Sequence, residues 1–307
     1  MIFSNGFNPL KPIRKASMSQ VGFIGAGLMG IPMMQALLDA GHQVYGWNRT
    51  LDKLASLTEH PRFVTCTHLD QVAASCDTIL ICIADTQAVK DVIYAPKGLA
   101  KDLKSGHLLI DLSSIDPQST RELSAYVQTR GATWVDAPVS GGVQGAQQKR
   151  LAIMCGGDAQ DVARAQTYLQ SFARQITHMG AVGCGQITKI CNQMLVCTNA
   201  LVIAEMMSLA QSCHVEVDKI PQALAGGFAD SLPLQILAPQ MAQEVFEPAK
   251  WHVRTLLKDL DNAVDLATHE QSAAPITGLA AQLMRLHAGN GFADTDPATL
   301  IQLYKQL

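Results

Sequence analysis

The sequence predicts an α/β fold: a doubly wound parallel sheet followed by an all-helical C-terminal domain. Three observations carry this. From residue 20 to about 180, short apolar runs alternate with helical patterns of about 10–15 residues, the mark of βαβ units and a parallel sheet. No strand pattern follows residue 186. The 307 residues are 48% apolar, enough for two domains with real cores at about 150 residues each.

Taken in order, 21–24 reads as a short buried strand. A helix follows through Ala40 and is closed by Gly41. Further strands are expected at 43–47, 63–64, 78–83, 108–112 and 133–139, with a helix at 117–130 ended by Gly131. The strands at 151–155 and 175–178, with a helix at 159–171 between them, continue the sheet. Beyond residue 185 the segments 186–213, 216–225, 251–270 and 274–288 read as helices. Breaks are expected at Gly226-Gly227, Pro233, Pro239, Pro248 and 289–291. The composition shift near 180–185 sets the division: a flexible leader at 1–18, a dinucleotide-binding domain at 19–181 and a helical domain at 182–307. The helix at 186–213 is apolar all round, the pattern of a helix buried on several sides.

Only 16% of residues are charged and the net charge is −3, against about 25% charged in a typical soluble domain. Such a balance lacks the basic face of a nucleic-acid binder. None of the eight cysteines forms a C-x-x-C pair, and neither they nor the nine histidines show metal-ligand spacing. We read the cysteines as buried free thiols in a reducing compartment, the cytoplasm, and expect no metal site. No run of about 18 apolar residues with clean flanks stands out as a membrane span. The first 17 residues carry Lys11, Arg14, Lys15 and two prolines without an apolar core, so they are not a secretory signal.

Gly25-Ala26-Gly27-Leu28-Met29-Gly30 follows the first strand and opens the first helix. In that context G-x-G-x-x-G is a Rossmann-type dinucleotide fingerprint: one glycine for the turn, one for close approach to a pyrophosphate, one for helix packing. The acid that grips the ribose diol of NAD, about 20 residues on, is missing. Asn48-Arg49-Thr50 stand there instead. A carboxylate would repel a 2′-phosphate and Arg49 can pair with one, so we read NADP(H) over NAD(H). Ligands of such sheets sit outside the carboxyl ends of the strands. Ile83-Ala84-Asp85 and Ser113 are therefore candidate cofactor neighbours, although Ser114 or Asp116 equally suits a cap for the helix at Pro117.

Two constellations remain. In Asp136-Ala-Pro-Val-Ser140-Gly141-Gly142 a strand runs into a turn whose backbone N–H groups and serine hydroxyl could hold a carboxylate; a plain glycine turn fits the same residues. In Gly183-Cys-Gly185-Gln-Ile-Thr-Lys189-Ile-Cys-Asn192-Gln193, the last three polar residues share a helical face. Spacing leaves two readings of Lys189 open, a proton-transfer group beside a cofactor or a lysine snorkelling to solvent.

The chain resembles the β-hydroxyacid dehydrogenase family, which includes 3-hydroxyisobutyrate dehydrogenases and tartronate semialdehyde reductases. The likeness runs from Gln20 to the end on four blocks in order: 22–30 with Pro32-Met33, 136–142, 183–193 and Lys258-Asp259-Leu260. The resemblance implies that Lys189 is the catalytic lysine, that Ser140, Gly141 and Gly142 bind the substrate carboxylate with Asn192 helping to place it, and that Lys258 closes over the cofactor. Asn48-Arg49-Thr50 resembles the NADP-using members. Departures are Ala84-Asp85 for the usual Pro-Asn, Lys149-Arg150 for Gly-Thr, and Met34 and Ala36 for Ser and Asn; the run 246–258 is one residue longer than in several relatives. They mark a divergent member.

The expected function is NADP-dependent interconversion of a short 3-hydroxy acid and its semialdehyde, with Lys189 as general acid/base. Imine reduction on the same plan and a silent NADP-binding module are the alternatives. Because Glu205 is the one charged residue in 190–213, a homodimer or homotetramer joined through the helical domain is also expected.

Overall fold

The computed structural model describes residues 19–305, and the leader expected at 1–18 lies outside them. The chain forms two compact units, one ending at Lys189 and the other beginning at Ile190.

The first unit opens with β1 (Gln20–Ile24), α1 (Gly30–Asp39), β2 (Gln43–Trp47), β3 (Phe63–Thr65), α2 (Leu69–Ser75), β4 (Thr78–Ile81) and α3 (Thr86–Tyr94). It continues through β5 (Leu108–Asp111), α4 (Pro117–Gln128), β6 (Thr133–Asp136), β7 (Val139–Ser140), α5 (Gly142–Gln147), β8 (Leu151–Gly156), α6 (Ala159–Leu169) and β9 (Ala173–Gly180). The strand order is β3-β2-β1-β4-β5-β6-β8-β7, with β9 pairing β8. All pairs from β3 to β6 are parallel.

Alternate residues of the buried strands feed two cores, as a sheet covered on both faces requires. Val21, Phe23, Leu80, Leu108 and Ile110 pack with α1 and α6, through Leu37 and Leu169 among others. Ile24, Ile79, Ile81 and Leu109 pack with α2, α3 and α4, through Val72, Val89 and Leu123.

Two sheet expectations are corrected. The run 133–139 is two strands, because the chain turns at Ala137-Pro138 and Val139 pairs antiparallel with Ile153 of β8. β8 is also antiparallel to β6, while β9 runs parallel to β8, so the sheet is mixed beyond β6.

The helix α7 (Cys184–Ser212) begins in the first unit and runs on into the second. By compactness the division falls inside it, after Lys189. The second unit adds α8 (Ile220–Leu224), α9 (Leu232–Gln243), α10 (Val253–His269), α11 (Pro275–His287) and α12 (Gln302–Lys305). Where one helix was expected at 216–225, a 3-10 turn at Val217–Lys219 precedes α8. The breaks expected at Pro233 and Pro239 are corrected: both lie in α9. Pro233 occupies the first turn, where no N–H is needed, and Ser231 caps it by accepting from Leu234 N–H at 3.2 Å. Burial of Leu234, Leu237, Ala238 and Met241 holds α9 despite the inner proline.

α7 contributes Cys197, Ala200, Leu201, Ile203, Ala204 and Met207 to the core of the second unit. Its other face is not covered: Leu195, Val202 and Leu209 are 69%, 62% and 66% exposed, so burial on several sides is corrected. By length and composition α7 could cross a membrane, which the sequence reading did not single out. The same properties suit a core helix, and α7 packs as one along its buried face.

Candidate active site

The glycine loop is built by close contact. Gly25 sits at φ +109°, and its N–H donates to the Trp47 carbonyl at 2.9 Å. A Cβ there would lie 2.1 Å from the Cys82 carbonyl oxygen, and one on Gly30 would lie 1.9 Å from that of Gly25. Only glycine fits either place. A Cβ on Gly27 would meet nothing within 4 Å, so the middle of the loop faces open space. α1 has no side-chain cap at Met29 and no acid in its first turn. Ile31 N–H donates to the Gly27 carbonyl at 3.2 Å and Pro32 has no N–H, so what this end offers an anion is its positive dipole. Ala26 donates its N–H to Asn48 Oδ1 at 2.9 Å, and Asn48 Nδ2 donates to the Thr50 carbonyl at 2.7 Å. Asn48 therefore braces the loop against the end of β2, while Leu28, Arg49 and Thr50 stand exposed. These residues fit a dinucleotide pyrophosphate.

The neighbouring strand ends carry the other candidates. Ala84 is exposed, and the Asp85 carboxylate caps α3 by accepting from Ala88 N–H at 2.9 Å. Ser113 is buried and its hydroxyl accepts from Ile83 N–H at 3.1 Å, so it ties the loop after β4 to the loop after β5. Asp116, and not Ser114, caps α4, accepting from the N–H groups of Gln118 and Ser119 at 2.9 Å. Lys149 is paired with Asp39 at 2.8 Å, which holds that carboxyl below its usual pKa; its charge belongs to the end of α1.

After β6 the chain turns through half-buried Ser140 and exposed Gly141 and Gly142, at φ +129° and +62°. Lys189 is half-buried in the second turn of α7. In the second unit Asn192 Nδ2 donates to Gln193 Oε1 at 2.8 Å, and Gln193 Nε2 donates to Asp259. Lys258 is exposed and lies 3.8 Å from Asp259. Asp259, which the sequence reading left without a role, is thus tied to both Gln193 and Lys258; its only signal was its place in the 258–260 block.

Two further residues were missed. Asp136 is fully buried, and its carboxylate accepts the N–H of Gly183 at 2.8 Å and of Gln186 at 2.9 Å. Burial pushes its pKa up, while those backbone bonds oppose the rise. Asp111, opposite it in the sheet, is pushed up to about 7 by burial.

Residues 20–180 match the family model described as the NAD binding domain of 6-phosphogluconate dehydrogenase. Residues 183–304 match that described as NAD-binding of NADP-dependent 3-hydroxyisobutyrate dehydrogenase. Among curated relatives, 2-hydroxy-3-oxopropionate reductase of Escherichia coli (strain K12) is 33% identical, over 92% of this chain and 96% of its own.

The chain belongs to the β-hydroxyacid dehydrogenase family.

Another relative, the mitochondrial 3-hydroxyisobutyrate dehydrogenase of Homo sapiens, is 31% identical over 95% of this chain and 88% of its own. A solved structure of Mycobacterium tuberculosis 3-hydroxyisobutyrate dehydrogenase with L-serine superposes with a TM-score of 0.82 at 28% identity, covering 93% of this chain and 99% of that one. As a β-hydroxyacid dehydrogenase, the protein is an NAD(P)-dependent oxidoreductase acting on CH–OH.

Proposed function

We propose that the protein interconverts a short 3-hydroxy acid and its semialdehyde with NADP(H), using Lys189 as general acid and base. The observation that carries the reading is the glycine cradle, open at Gly27 and uncapped at α1, in the same unit as Lys189. The likeness to the E. coli 2-hydroxy-3-oxopropionate reductase and the human 3-hydroxyisobutyrate dehydrogenase, over most of each chain, supports the substrate class.

When bound, the nicotinamide supplies the hydride. In reduction, Lys189 Nζ gives a proton to the carbonyl oxygen; in oxidation it accepts the hydroxyl proton. Ser140 and the N–H groups of Gly141 and Gly142 hold the substrate carboxylate and so fix the reacting carbon. Asn192, three residues after Lys189 on α7, helps place the substrate. Gly25–Gly30, Asn48, Arg49, Thr50, Ile83, Ala84, Asp85, Ser113 and Lys258 form the cofactor set, with Arg49 pairing the 2′-phosphate. Ser113 serves from within, since its buried hydroxyl holds the Ile83 loop.

The working assignment of domains is 19–181 for NADP binding and 182–307 for the helical part, in a cytoplasmic enzyme. A second copy of this chain covers the exposed face of α7. Leu195, Val202 and Leu209 recur every seven residues, the spacing of a seam between like helices.

A steady-state screen tests the reading. NADPH and NADH are each paired with glyoxylate, with succinic, methylmalonate and tartronate semialdehydes, and with a cyclic imine. Turnover of a semialdehyde with NADPH is expected; turnover of the imine alone, or of nothing, overturns it.

A further inference from the structure

Asp136 stands at the end of β6, some fifty residues before α7 in the chain, yet it serves as that helix's cap. Gly183 accepts the first intrahelical bond, from Ile187 N–H at 2.9 Å, so it is the N-cap residue and Gln186 is the third residue of the helix. In a capping box the N-cap side chain accepts the N–H of the third residue, and that residue's side chain accepts the N-cap N–H. Gly183 has no side chain. The Asp136 carboxylate takes both, Oδ1 from Gly183 N–H and Oδ2 from Gln186 N–H, and places negative charge at the positive end of the helix dipole.

The surroundings are shaped for that carboxylate. A Cβ on Gly156 would lie 2.5 Å from Asp136 Oδ1, and one on Gly185 2.7 Å from Oδ2. Two glycines thus make the niche, and this accounts for Gly185 in the 183–193 block.

The Gln186 side chain makes the second tie. It is 1% exposed. Its Nε2 donates to the Ser113 carbonyl at 2.8 Å, and its Oε1 accepts from Ile115 N–H at 3.3 Å. Ser113 in turn holds Ile83 N–H. The loops after β4 and β5 and the first turn of α7 therefore form one hydrogen-bonded piece. Lys189 follows Gln186 by three residues, about 4.5 Å along the helix axis.

We propose that Asp136 and Gln186 are positioning residues: together they clamp the first turn of α7 to the cofactor-side loops and so set where the Lys189 ammonium meets the substrate oxygen. The proposal rests on Lys189 acting as the proton-transfer group. Misplacing a reacting group by about 1 Å costs on the order of a hundredfold in rate, so the clamp acts on turnover more than on binding.

The test uses the full chain with NADPH and the best semialdehyde from the screen. Gln186→Ala and Asp136→Asn are each made alone and with Lys189→Ala. Each single variant lowers kcat roughly 10–100-fold, with NADPH Kd, read by cofactor fluorescence, within about threefold of the parent. In the Lys189→Ala background neither lowers kcat further, because both act through the lysine. Losses that add to that of Lys189→Ala, or an unchanged kcat in the single variants, overturn the clamp. If Lys189→Ala itself keeps kcat, the acid–base reading fails instead. Amide hydrogen exchange at 183–189 gives a readout that needs no turnover and no folding of the aspartate variant. It speeds up in Gln186→Ala while β1, β4 and β5 keep their protection; unchanged exchange there also overturns the clamp.

Discussion

Asn48 accepts the backbone N–H of Ala26 at 2.9 Å, so the residue standing where NAD enzymes carry an acid is a brace for the phosphate loop itself. Removing it leaves the part-buried Ala26 N–H without that partner, at a cost of about 1–2 kcal/mol. Asn48→Ala should therefore raise the KM for NADPH and for NADH alike, by roughly tenfold at about 1.4 kcal/mol per decade. Steady-state kinetics with both cofactors checks this. A loss confined to one cofactor would mean that Asn48 reads the ribose and does not brace the loop.

Arg49 makes the opposite prediction. It is exposed beside Asn48 at the end of β2, and the 2′-phosphate is the one group that separates the two cofactors. Arg49→Ala should weaken NADPH by roughly 10–100-fold, the worth of a charge-assisted pair at about 1.5–3 kcal/mol, and leave NADH nearly unchanged. Equal losses for both cofactors would remove the phosphate-pairing role.

Asp111 links burial to pH. Its carboxyl is fully buried and raised from 3.8 to about 7, first by desolvation; Ser113 bonds oppose the rise and the Asp136 charge adds to it. Between those values the folded state holds a proton that the unfolded state has lost, so stability falls as pH rises from about 4 to about 7. Asp111→Asn keeps an acceptor for Ser113 N–H and has no charge to bury. Thermal unfolding should place the variant near the parent at about pH 4 and above it at about pH 8, by at most about 4 kcal/mol. A gap that does not widen over that range would show that Asp111 stays ionised throughout.

The exposed α7 seam predicts its own disruption. Leu195→Glu with Val202→Glu places charge on the face assigned to a second copy. The parent should sediment as a dimer or tetramer at micromolar concentration, and the double variant as a folded monomer. A monomeric parent would contradict the seam.

Much of this was legible because buried parallel strands read as continuous apolar runs, and the runs at 78–83 and 108–112 land on β4 and β5. The glycine loop was legible because its constraints are local, with Gly25 and Gly30 close in both sequence and space. What stayed hidden depends on contacts distant in sequence. Asp136 and Gln186 are 50 residues apart, and no period or motif marks a carboxylate as the cap of a remote helix. α9 was hidden for another reason: Pro233 and Pro239 are breaking signals, outweighed by one buried helix face. The direction of β8 was hidden because a strand's apolar pattern is the same read either way.

The central claim is that Lys189 moves the proton. It is tested most directly by turnover of NADPH with the best semialdehyde by Lys189→Ala, alongside NADPH binding by the same variant. The account predicts that kcat falls about 10²–10⁴-fold while the Kd for NADPH stays within about threefold of the parent. Near-normal kcat on every active substrate would contradict it.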